Sequence, residues 1–150
     1  MSVAYKRIGE LRMKKMIVCS AVLLFGCVSS LGSHFQAGES REAFWERFRT
    51  AVIKKDKMAV AGLSQFPISM PYGMRTVRTK AQLIKRYRDV FNHEGDAAVC
   101  FAAAKPQIDP ARSKEFTVGC KNAAGDEVVI YSFVLTKLGW RFNGLDNINE

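Results

Sequence analysis

Apolar side chains change their spacing twice along this chain. Over residues 16–25 (MIVCSAVLLF) they are nearly continuous, between Phe44 and Phe91 they recur at helical intervals, and beyond Asp96 they alternate. Phe44, Trp45, Phe48, Ala51 and Val52 follow an i, i+4, i+7, i+8 pattern, and Ser40 stands where an N-cap belongs, so a helix is expected from there to about Lys55. Asp56 interrupts the stripe, and residues 57–63 predict a second, shorter helix. Two prolines and a glycine in FPISMPYGM (66–74) predict extended or turning chain. Thr79 and Gln82 have the spacing of a capping box ahead of a third helix, whose stripe is Leu83, Ile84, Tyr87, Val90 and Phe91.

From Asp96 onward the alternation predicts strands over 97–104, 115–121, 127–137 and 140–145. A loop with Pro106 and Pro110 separates the first two, residues 122–126 (NAAGD) suit a hairpin turn, and Leu138-Gly139 leads into the last. Phe116, Val118 and Cys120 share one face of the second strand. Cys100 and Cys120 lie equally far from Pro110, so a hairpin centred there would set them opposite each other, within disulfide reach. Two buried free thiols are the other reading of this pair.

The continuous run has a different meaning. Lys14 and Lys15 precede it, and Gly26-Cys27 and Ser29-Ser30 follow it. A basic end, a short apolar run and small residues make a secretory signal, and the run is shorter than the roughly 20 apolar residues of a spanning helix. Leu24-Phe25-Gly26-Cys27 resembles the lipobox of bacterial lipoproteins, with Phe25 departing from the small residue usual before the glycine. The resemblance implies lipid on Cys27; an ordinary cut near Ser30 would discard that residue. Residues 1–12 then lie upstream of a true start at Met13, or extend the basic end. The expected organisation is a signal segment over 1–26, a spacer over 27–39 and one domain over 40–150.

Charge reads differently once that segment is removed. The whole chain holds 23 basic and 14 acidic side chains, a net charge of +9. A mature chain starting at Cys27 loses five of the basic ones (Lys6, Arg7, Arg12, Lys14, Lys15) and the acid Glu10, leaving 18 against 13, or +5. The basic balance therefore gives little support to a nucleic-acid partner, and none is expected. Cys19 and Cys27 belong to the leader, so the domain keeps Cys100 and Cys120, a pair suited to an oxidising compartment. No histidine or further cysteine stands at metal-ligand spacing beside them, and no metal or cofactor is expected.

Three helices followed by an antiparallel meander, with Phe44-Trp45 opening the first helix and Gly139-Trp140-Arg141-Phe142 in the last strand, resemble the nuclear transport factor 2-like superfamily. Ketosteroid isomerase and many small exported bacterial proteins belong to it. The resemblance covers Phe44 to about Leu145. It implies an α+β fold in which N-terminal helices pack on a curved antiparallel sheet, a cone that usually encloses a pocket. The superfamily uses that cone for isomerases, dehydratases, ligand binding or dimer contacts, and fold alone does not choose among them.

Candidate chemistry is sparse. An isomerase of this fold needs a carboxylate base in an apolar cavity facing a proton donor. Asp56, Asp89, Asp126 and Asp146 are available; helix-end, turn and solvent positions account for the first three, and Asp146 follows the last strand. His34 lies in the spacer and His93 just after the third helix, the place of a C-terminal cap. Tyr72, Tyr87, Tyr131, Trp140 and Asp146 are the residues able to line a cone that takes a small apolar ligand. The strongest charge feature is residues 74–88 (MRTVRTKAQLIKRYR), with Arg75, Arg78, Lys80, Lys85, Arg86 and Arg88 and no acid. Such a stretch is either a solvated face or a contact for an anionic envelope component. The sequence as a whole points to an exported, lipid-anchored, non-catalytic binding or interaction domain on the periplasmic side of a bacterial membrane, or in the soluble periplasm. A ketosteroid-isomerase-like enzyme with a carboxylate in the cone is the alternative.

Overall fold

Ser40 begins the first helix as its sequence requires, its Oγ accepting from the Ala43 amide at 3.2 Å. The computed structural model describes residues 38–71, 73–93, 95–122, 124–125 and 128–147. The leader with Cys27, the spacer with His34, and also Tyr72 and Asp126 lie outside the described residues. Helix α1 (Arg41–Ile53) buries Phe44, Trp45, Phe48, Ala51 and Val52, the expected stripe. Asp56 caps helix α2 (Lys57–Gly62), accepting from the Ala59 amide at 2.9 Å. Strand β1 (Ser64–Ser69) follows, and an irregular stretch then leads to Thr79, whose hydroxyl accepts from the Gln82 amide. The expected third helix is divided at Arg86 into α3 (Lys80–Lys85) and α4 (Tyr87–Phe91).

The largest departure from the sequence reading is over 97–104, which is no strand. It is helix α5 (Ala97–Ala103), and its N-cap Asp96 accepts from the amides of Ala98 and Val99. Alanine is the best helix former, and a capped alanine-rich run takes the helical period: Ala97 and Phe101 are buried, with Cys100 and Ala104 packed beside them. The cysteine pairing was expected correctly, from a pairing geometry that does not exist. Cys100 and Cys120 are bridged, Cα to Cα 5.8 Å, but the bond staples α5 to a strand, while across the sheet Cys120 faces Val129.

Strands β2 (Glu115–Lys121), β3 (Val128–Thr136) and β4 (Gly139–Asn147) form the antiparallel meander. Strand β1 adds to the outer side of β4 in parallel, giving a mixed sheet in the order β1-β4-β3-β2. Its Pro67 donates no ladder hydrogen bond, which an edge strand tolerates. A bulge between β3 and β4 inserts Asn143 opposite the Ser132/Phe133 step and bends the sheet there. One face of the sheet meets α1, α4 and α5. Phe44 and Phe48 reach Phe133 with ring centroids at 6.0 and 5.0 Å, Phe91 stacks on Tyr131 at 5.9 Å, and Phe101 meets Tyr131 edge-on at 4.9 Å. The architecture is α+β, helices against one face of a bent sheet.

Candidate functional site

Between the helices and the sheet, where the resemblance implies a pocket, the chain has placed its own rings. Phe44, Phe48, Phe91, Phe101, Phe116, Phe133 and Phe142 are all fully buried. Three of the aromatic residues expected to line a pocket, Tyr87, Tyr131 and Trp140, are core residues. The two phenols are held by backbone: Tyr87 Oη donates to the Val52 carbonyl and Tyr131 Oη to that of Val90, both at 3.4 Å. Burial, with Asp56 and Asp96 nearby, pushes the Tyr87 phenol up to about 12, so it is a neutral donor at any ordinary pH. Beside Tyr131 the space left between α4 and the sheet is about 10 Å³, scarcely the size of one water.

No carboxylate among the described residues is buried. Asp56 is spent on capping α2, and Asp89 pairs with Arg86, Oδ2 to Nε at 3.2 Å. Asp146 belongs to β4 rather than to a tail, and it is exposed. It lies on an open polar trough of about 380 Å³, shared with Ser69, Thr117, Ser132 and Asn143. In register, Ser69, Gly144, Ser132 and Thr117 stand in one row across all four strands. They alternate with the residues facing the helices, so the trough is on the opposite side of the sheet from the aromatic core. His93 is exposed, and Asn92 takes the C-cap position of α4.

The basic segment divides into five surface cations and one structural one. Arg75, Arg78, Lys80, Lys85 and Arg88 are exposed. Arg86 instead donates from Nη1 to the Arg75 carbonyl at 2.6 Å and pairs with Asp89, tying the incoming loop to the helices. Two features escaped the sequence reading. Arg141, within the aromatic last strand, is buried and donates to the Trp140 carbonyl at 2.6 Å. Burial and the neighbouring Arg47 lower its pKa, and Glu39 opposes them. The second feature is the position of Lys57, whose Nζ lies 5.7 Å from the centre of the Tyr87 ring. The lysines between α1 and α2 therefore adjoin the basic segment. A second cluster, KKDK at 54–57, was visible in the sequence as a signal, but its proximity to the first was not.

No family model matches the chain, and no curated protein is similar to it. Solved structures of similar shape do exist. A nuclear transport factor 2-like protein with a cystatin-like fold from Novosphingobium aromaticivorans is 17% identical over 69% of this chain and 75% of its own, with a TM-score of 0.40. A ketosteroid isomerase-like protein from Erwinia carotovora atroseptica is 16% identical over 71% of this chain and 90% of its own, at 0.43. A cystatin-like domain from Nostoc punctiforme is 12% identical over 72% and 74%, at 0.44. Likeness at this level concerns shape and carries no chemistry to this chain.

Proposed function

We propose that this chain is an exported, lipid-anchored, non-catalytic interaction domain of the bacterial cell envelope, held at Cys27 and engaging an anionic envelope component through its basic surface. The observation that carries this reading is the filled cone: the interior is occupied by the chain's own rings, while five cations of one segment stand exposed outside it. A small apolar ligand would need space inside, and a proton-transferring enzyme would need a carboxylate there. Neither is favoured by any described residue.

The test uses Lys85 and Arg88, because Arg86 has a structural partner. Full-length wild type and the Lys85→Gln/Arg88→Gln variant share the same apolar leader, so a difference between them reports the basic surface alone. Affinity of the variant for anionic vesicles should fall roughly 10–30-fold, at about 1 kcal/mol per cation near a charged membrane. Its folding free energy should move by less than about 0.5 kcal/mol, as for other exposed substitutions. Equal, salt-insensitive binding by both chains would show that the face is merely solvated.

A further inference from the structure

We propose that the corner between α1 and α2 is a bilayer-docking tip: Lys54, Lys55 and Lys57 meet anionic phospholipid head groups while Ile53 and Met58 enter the interfacial layer. The inference rests on the anionic-surface reading above and names the partner as an anionic phospholipid bilayer.

The corner has the composition of an interfacial contact. Met58 is 70% exposed and Ile53 41%, two of the six exposed large apolar side chains among the described residues, and the three lysines between and beside them are exposed. Apolar side chains ringed by lysines suit the boundary between head groups and acyl chains, where each has its preferred medium. The corner stays cationic, since Lys54, Lys55 and Lys57 outnumber the one carboxylate of Asp56, which caps α2 through the Ala59 amide.

The backbone of the corner is also strained in a telling position. Lys55 has φ 56°, the left-handed conformation that favours glycine. It closes α1 with two bonds, Lys55 N–H to the Val52 carbonyl and Asp56 N–H to the Ala51 carbonyl, both 2.9 Å. That is a Schellman closure with lysine at the residue where glycine is the usual choice. A charged side chain thus stands at the apex where the fold alone would be better served by none, and such outliers motivate a functional hypothesis.

Continuity and reach complete the case. Lys57 over the Tyr87 ring joins the corner to the basic segment, so both can face one anionic plane. Twelve residues separate Cys27 from Ser40, a tether of up to about 40 Å when extended. Helix α1, with 13 residues, is about 20 Å long at 1.5 Å per residue. A chain anchored at Cys27 can therefore bring the far end of α1 to the bilayer that holds the anchor.

The test must be position-specific, because the apolar leader of the full chain can enter a vesicle by itself. Full-length Met58→Trp is compared with wild type, whose buried Trp45 and Trp140 give the background emission. On phosphatidylglycerol-containing vesicles the added emission should shift to the blue and be quenched by brominated acyl chains. On phosphatidylcholine alone it should not, and salt at about 1 M, where screening acts within about 3 Å, should reverse the shift. Lys55→Gly should raise the melting temperature by roughly 2–5 °C through relief of the left-handed strain, yet weaken binding to the anionic vesicles about fivefold. Emission that stays unmoved on vesicles where Lys85→Gln/Arg88→Gln still lowers affinity would overturn the docking tip and leave the anionic-surface reading standing. Loss of any salt-sensitive binding would overturn both. A Lys55→Gly chain that binds as well as wild type would remove Lys55 from the contact.

Discussion

At Tyr87 one side chain joins three parts of the molecule. Its ring lies against Phe91, its hydroxyl donates to the end of α1, and Lys57 of α2 sits over its face. The phenol's folded pKa, raised to about 12, stands above the unfolded value of 10.0. Below pH 10 the group is protonated in both states and its contribution is fully present. As pH rises from about 10 to 12 the unfolded chain releases the proton first, so stability falls across that window. Tyr87→Phe should flatten the fall by up to roughly 3 kcal/mol, since one unit corresponds to about 1.4 kcal/mol. Denaturant titrations of the two chains across the window, with tyrosinate absorbance followed in parallel, measure this directly. The burial of Tyr87 was legible from its place on an apolar stripe. Its partners were not, because a stripe specifies which face turns inward and says nothing of what meets it.

Element by element, the well-spaced segments were readable and the small-residue ones were not. The stripe of α1 and the extent of β2 follow from side-chain periodicity, and the Thr79 cap from its spacing to Gln82. Over 97–104 the alanines fit alternation as easily as a helical period, and the cap at Asp96 with helix propensity decided the matter. The misreading bears on the disulfide, which fastens a short helix to the edge strand β2. With a sequence separation of 20, the bridge should contribute about 3 kcal/mol on the loop-closure account. Reduction should lower the denaturation midpoint accordingly, and alkylation should add mass only after reduction. Free thiols in the native protein, or a midpoint indifferent to reductant, would contradict the bridge.

For the molecule as a whole, the proposed location is the claim most open to a direct check. Protein recovered from the membrane fraction should lack residues 1–26 and carry lipid on Cys27 by intact-mass analysis; a soluble product starting beyond Cys27 would retain export and exclude the anchor. The proposed leader rests on the sequence alone, because a signal is a linear string of charge, apolar run and small residues. The inward faces of α1, α4 and β2 were written in the linear pattern, since periodicity is a property of neighbours along the chain. Three things were decided only in three dimensions. The cone closed on its own phenylalanines, because whether facing rings leave space depends on volumes brought together from α1, α4, α5 and the sheet. The parallel addition of β1 to β4 set Ser64 beside Phe142 and Ser69 beside Gly144, a pairing of distant segments that no local pattern specifies. And the lysines of the α1–α2 corner came to lie beside the basic segment, because charge adds by distance in space, and residues thirty apart in sequence became neighbours when Tyr87 packed beneath Lys57.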